Sequence, residues 1–154
     1  MKNLIFSFLT LIIISCSSGS DNPEPNPTPT PTEDTFVRAA DLSFVPEIEA
    51  AGISFKNNNS TQDPLLTLKN AGVNYIRIRL WHNPSNGHSG MVEVKQLATR
   101  ARNLGLKIWL TVHYSDTWAD PANQTKPAAW QNLSFSDLKS AVSTYTSQIM
   151  SEIN

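Results

Sequence analysis

Two runs of period two bracket one run of helical period, and this arrangement constrains the fold class most. In residues 74–81, Ile76, Ile78 and Leu80 share one face, and Tyr75, Arg77, Arg79 and Trp81 share the other. In residues 106–112, Ile108, Leu110 and Val112 face one way, while Trp109, Thr111 and then His113 face the other. Between them, Val94, Leu97, Ala98, Ala101 and Leu104 recur at helical spacing over residues 91–104, and Gly105 closes the run. Two strands joined through a helix pair in parallel, because a parallel connection is too long for a hairpin turn. The flanks repeat the pattern. A strand is expected over 36–42, and a helical turn over 46–51 stopped by Gly52. A polar loop, KNNNSTQ, is expected over 56–62. Asp63 and Pro64 then read as N-cap and first helical residue, with Leu65, Leu68 and Ala71 as the buried stripe and Gly72 as the stop. Ser134 and Asp137 give a capping-box-like start to a last helix, with a stripe of Leu138, Ala141, Val142, Tyr145, Ile149 and Ile153. Strand–helix alternation three times over implies an α/β fold with a parallel sheet, either a barrel or an open doubly wound sheet.

The arginines have two readings. On a half-exposed strand, Arg77 and Arg79 are the wet face. In a sheet rolled into a barrel they point inward, where buried guanidinium groups call for carboxylate partners. Asp41 is a candidate partner for either. The densest chemistry is the stretch HYSDTWADP, which follows the third strand and carries His113, Asp116, Trp118 and Asp120. An α/β protein binds its ligand outside the carboxyl ends of its strands, and this stretch lies there. No GxGxxG or GxxxxGK[ST] follows a strand, which removes the usual nucleotide-binding readings. His82, His88 and His113 lack metal-ligand spacing, so neither a metal nor a cofactor is expected. A net charge of -1 without a basic block argues against a nucleic-acid partner.

The amino terminus reads as delivery. Lys2 precedes an apolar run over 4–14, well short of the roughly 20 residues of a spanning helix. Ser15 then precedes Cys16, the only cysteine. The pattern resembles a bacterial lipobox, in which the cysteine is lipidated and becomes the mature terminus. Residues 1–15 are therefore expected to be a lipoprotein signal peptide. Residues 16–35 are expected to be a lipidated Pro/Thr-rich linker of extended polyproline form, and 36–154 the folded domain. The product is expected to be exported and anchored to a membrane, at the cell envelope or surface.

With the strands placed, FVRAADLS, GISFKNNNSTQDPLLTLKNAGVNYIRIRLWHNP and GLKIWLTVHYSDTWADPANQTKPAAW resemble the amino-terminal third of glycoside hydrolase family 53, the arabinogalactan endo-β-1,4-galactanases. The resemblance implies a (β/α)8 TIM barrel, of which residues 36–154 would be about three βα units. It also implies retaining hydrolysis of pectic (arabino)galactan by two glutamates. Arg77 matches the arginine that holds the nucleophilic carboxylate in position. His113 and Asp116 match polar residues at the mouth of the third strand. Trp118 and Asp120 match the loop that contacts galactan, with Trp81 and Asp41 as neighbours. Thr111 stands where an aspartate is common, which removes one interior carboxylate. Some relatives bind calcium, in parts of the barrel outside this resemblance.

Retaining chemistry needs two carboxyl groups about 5 Å apart. Glu24 and Glu33 fall in the linker, Glu47 and Glu49 on the first helix, Glu93 at a helix start and Glu152 near a helix end. The family's glutamates lie on its fourth and seventh strands. Both the acid/base and the nucleophile are therefore expected beyond Asn154, and this chain is expected to be a fragment without catalysis. It is also expected to be marginally stable alone, and its full-length form to be a monomer. The alternative is a non-catalytic carbohydrate-binding surface lipoprotein using Trp118, Trp130, Asp116 and Asp120. An inverting pair of Asp116 and Asp120 is disfavoured, because one short loop cannot flank a glycosidic bond from both sides.

Overall fold

The computed structural model describes residues 36–153. The expected signal peptide, Cys16, the linker and Asn154 lie outside the described residues. In chain order the elements are β1 (Ala39–Asp41), α1 (Val45–Ala50), β2 (Lys56–Asn57), β3 (Ser60–Thr61), α2 (Pro64–Asn70), β4 (Tyr75–Trp81), α3 (Met91–Asn103), β5 (Lys107–His113) and α4 (Phe135–Ile153). A 3₁₀ turn, Ala128–Trp130, precedes α4.

β1, β4 and β5 form one parallel sheet with β4 in the middle. The two-residue side-chain period works as expected. Ile76, Ile78 and Leu80 are at most 1% exposed and pack with Val94, Leu97, Ala98 and Ala101 of α3 in one core. Each fully buried aliphatic side chain there contributes about 1.5–3 kcal/mol. α4 adds Tyr145, Ile149 and Ile153 to the same core. The opposite sheet face is less covered. Trp109 on β5 is 56% exposed.

Local signals set the helix ends. Asp63 Oδ1 accepts the Leu65 amide at 2.7 Å, and Pro64 occupies the first turn of α2. Asp63 Oδ2 and Glu49 also grip the Arg100 guanidinium, which ties α1, α2 and α3 together. Ser134 Oγ accepts the Asp137 amide at 3.2 Å and caps α4, while its hydroxyl donates to Asp137 Oδ2 at 2.7 Å, so the return bond of the expected capping box comes from the hydroxyl and not from the Ser134 amide.

Three expectations need correction. Residues 56–62 are not a plain loop, because β2 and β3 pair as a short antiparallel ribbon. Asn58 and Asn59 turn it with φ of 48° and 64°, the left-handed conformation that asparagine tolerates and two-residue hairpin turns require. β1 is shorter than the expected 36–42. Ala71 is not in a buried stripe: it caps α2 and is exposed.

Candidate functional site

Strand register brings the first pair together. Asp41 lies opposite Arg77 across β1 and β4, and their side chains form an ion pair. Asp41 Oδ1 also accepts the Ser43 amide at 3.0 Å and the Ser43 hydroxyl at 2.6 Å. Burial works to raise the Asp41 carboxyl, but the hydrogen bonds from Ser43 and Arg77 outweigh it and hold it below the usual carboxylate value. Asp41 is thus the partner of Arg77, not of Arg79.

Arg79 departs from the expected carboxylate pairing. Its side chain is buried, with the residue 2% exposed, and its hydrogen bonds go to a hydroxyl. Nε and a terminal nitrogen donate to Ser89 Oγ at 3.2 and 2.9 Å. Its guanidinium carbon sits 4.5 Å from the Phe44 ring, 4.4 Å from Trp81 and 4.2 Å from Trp118. Desolvation pushes its pKa below the ordinary arginine value. Three aromatic faces take the place of a counter-ion.

Across β4 and β5, Trp81 lies opposite His113. Trp81 Nε1 and His113 Nδ1 are both buried without a hydrogen-bond partner among the described residues. Burial, and then the positive charges of Arg79 and Arg77, lower the His113 pKa, so the ring is held neutral. The Trp118 ring meets Trp81 edge-on at 5.5 Å and His113 at 6.0 Å, yet Trp118 remains 52% exposed. Arg77, Thr111, His113, Tyr114, Asp120 and Lys126 line a cleft of about 560 Å³ beside it.

The two loop aspartates hold backbone. Asp116 Oδ1 accepts the Asn83 amide at 3.0 Å and faces His82 Nδ1 at 3.3 Å, while Oδ2 accepts the Ala128 amide at 2.8 Å. It joins the segment after β4 to the 3₁₀ turn. Asp120 Oδ1 accepts the amides of Ala122 and Asn123 at 2.7 and 2.9 Å, which keeps its carboxyl below the usual range. Asp120 still lines the cleft, so its charge is presented there.

Trp130 does not offer a contact surface. It is 6% exposed and packs edge-on against His82 at 4.6 Å and Tyr145 at 5.8 Å. Burial pushes the Tyr145 hydroxyl up to about 12, and it donates to the Trp81 carbonyl at 3.3 Å. This second aromatic cluster supports the site from behind. The alternative carbohydrate surface that counted on Trp130 therefore loses that residue.

The structure thus gathers Trp81, His113 and Trp118 at the carboxyl end of β4 and β5, pairs Asp41 with Arg77 further down the strands, and lines one cleft with Arg77, His113 and Asp120. The two glutamates expected beyond Asn154 lie outside the described residues, and no glutamate lines the cleft. Sequence reasoning missed Phe44, Ser43 and Ser89. Ser89 adopts φ of 59° after Gly87, and no sequence pattern marked it. Among the described residues, no three His, Cys, Asp or Glu side chains gather as a metal ion would require.

The model of Glycosyl hydrolase family 53 matches residues 37–154. An endo-beta-1,4-galactanase of Bacillus subtilis (strain 168) is 41% identical over 127 residues, covering 77% of this chain and 30% of the relative. A probable arabinogalactan endo-beta-1,4-galactanase A of Aspergillus terreus is 44% identical over 113 residues, covering 73% and 32%. Among solved structures, a fungal beta-1,4-galactanase superposes with a TM-score of 0.68 at 40% identity, covering 71% of this chain and 33% of that one. The Ignisphaera aggregans GH53 catalytic domain superposes with a TM-score of 0.73 at 35% identity, covering 77% and 35%. The chain spans about a third of the length of the curated relatives it matches.

Proposed function

The chain belongs to glycosyl hydrolase family 53, and from that premise we propose that residues 36–153 supply the first three strand–helix units of a (β/α)8 barrel that hydrolyses β-1,4-galactosidic bonds in galactan. The observation that carries this reading is the convergence of Trp81, His113 and Trp118 where β4 and β5 end, above a cleft that His113 shares with Arg77. The bare sheet edges agree with it. Among the described residues, β1 and β5 each pair on one side only, and the face bearing Arg77 and Trp109 is the one a barrel would enclose.

In this reading the chemistry is retaining, with two carboxyl groups about 5 Å apart on either side of the bond. The site's own carboxylates are otherwise engaged. Asp41 is bound by Arg77 and Ser43, and Asp116 and Asp120 hold loop amides. The family resemblance gives the roles of nucleophile and acid to two glutamates, and none of these three aspartates takes either role. The part played by the described residues is to hold the sugar and to supply the Arg77 charge. Trp118 offers an indole face to a galactose ring, and Asp120 accepts hydroxyl hydrogen bonds.

Two results test the proposal. The whole barrel is expected to release β-configured oligosaccharides from linear β-1,4-galactan, read by proton NMR before mutarotation. Products of α configuration, or no cleavage of galactan, would overturn it. Trp118→Ala is expected to weaken β-1,4-galactotetraose binding about tenfold, the scale of one aromatic contact at a binding site. Unchanged affinity would remove Trp118 from the sugar path. We also infer export and anchoring through a lipid on Cys16, supported by the residues around it. Metabolic labelling with a radioactive fatty acid should mark the chain and not its Cys16→Ala variant. A parent chain without label would refute the anchor.

A further inference from the structure

We propose that Arg79 is a positioning residue that sets the orientation of the exposed Trp118 indole beside the cleft. Its guanidinium touches aromatic rings from separate segments. Phe44 immediately precedes α1, Trp81 ends β4, and Trp118 lies on the loop after β5. The β4 amides tie the strand to the segment before Phe44 and to the loop that carries Ser89. The Arg79 amide donates to Ser43 Oγ at 2.8 Å, and the Trp81 amide donates to the Ser89 carbonyl at 2.8 Å. Trp118 has no such tie. Neither its backbone nor its indole nitrogen appears in a hydrogen bond among the described residues, and half of its surface is open to water. What fixes its ring is contact: a tilted Phe44 ring, T-shaped contacts with Trp81 and His113, and the Arg79 cation over it.

A ring held only by dispersion could rotate about its two side-chain torsions. A guanidinium removes that freedom, because its attraction is to the ring face and falls off as the ring tilts. The Arg79 guanidinium is itself held by Ser89 Oγ, and the Ser89 amide is held by Glu93 Oε1 at 2.8 Å at the start of α3. A rigid helix start thereby fixes the pose of an exposed loop tryptophan. Neither Arg79 nor Trp118 is part of the cleft lining that holds Arg77, but Trp118 adjoins it through Ala119 and is half exposed, whereas Arg79 is buried and makes its contact with the loop through the Trp118 ring.

The claim about ring orientation stands on geometry alone, while its consequence for galactan rests on the function proposed above. The test separates the two. In the full chain, Arg79→Met is expected to raise iodide quenching of Trp118 fluorescence, isolated by subtracting the Trp118→Phe spectrum. Arg79→Lys should restore part of the protection, because it returns the charge without the planar fork. Where the chain binds β-1,4-galactotetraose, Arg79→Met should weaken binding about tenfold, the size of one desolvated cation–π contact. In a Trp118→Ala background the same substitution should change affinity by less than about twofold. Unchanged quenching, or an equal loss of affinity with and without the Trp118 ring, would overturn the proposal. If Arg79→Met fails to fold by far-UV circular dichroism, Ser89→Gly decides the same point. It removes the orienting hydroxyl, suits the positive φ, and should also raise quenching. If the parent chain binds no galactotetraose, the sugar reading falls and the quenching result still decides the role of Arg79.

Discussion

In the galactan-hydrolysing barrel proposed above, Arg77→Met is expected to lower kcat by about a hundredfold with KM little changed, the scale of losing one preorganised electrostatic donor. Register places Arg77 opposite Asp41, and the residue lines the cleft with His113 and Thr111. One terminal nitrogen is committed to Asp41, and under the proposed function the remaining donors of the planar fork supply the charge that orients the catalytic carboxylate. Asp41→Asn should give a smaller loss, because the Arg77 charge survives while its brace weakens. The pH dependence has a definite sign. The folded Asp41 carboxyl titrates below its unfolded value, so its grip on Arg77 is present above the unfolded pKa and is lost as pH falls through the folded one. Steady-state kinetics on galactan across the acid range are the measurement. A kcat within about threefold of the parent, far short of the loss of one such donor, would mean that Arg77 only staples β1 to β4.

The largest loss of stability should come from Ile78→Ala. Ile78 is 1% exposed in the middle of the central strand and sits in the core that α3 covers. Emptying such a site costs about 2–5 kcal/mol through lost burial and the cavity left behind. A domain of this size has about 5–15 kcal/mol in total. A loss of that size is a large share of such a total, so Ile78→Ala should remove much of the stability of the described sheet and its helices. Urea denaturation followed by circular dichroism gives the number. A loss below about 1 kcal/mol would show that β4 and α3 pack loosely at that point.

The architecture was legible because it is written in periods. Ile76, Ile78 and Leu80 alternate, Val94 to Ala101 follow a helical stripe, and the structure buries both sets against each other. The ends of α2 and α4 were legible because Asp63 and Ser134 cap through bonds to amides two and three residues onward. The Asp41–Arg77 pair was half legible: the residues were named, but only strand register decided which arginine Asp41 would meet. The partners of Arg79 were not legible. Its cage draws on Phe44, Trp118 and Ser89, between 10 and 39 positions away, and no local pattern encodes contacts between loops. Trp130 misled for a related reason. An isolated tryptophan near a motif reads the same whether it covers a ligand or supports His82 from behind.

β5 carries a rule for its neighbour. The Lys107 amide donates to the Asn74 carbonyl of the β4 side at 2.9 Å, so by the two-residue alternation the amides of Trp109, Thr111 and His113 turn toward β4. Those of Ile108, Leu110 and Val112 turn outward, as three donors about 6.6 Å apart. A strand docking there in parallel must set its carbonyls to that spacing. It thereby inherits a phase: which of its residues join the helix-covered layer and which join the layer of Arg77 and His113. A slip of one residue would exchange the two sets completely. The edge is therefore a template for handing on inside and outside, strand by strand, before any side chain of the newcomer has found a partner.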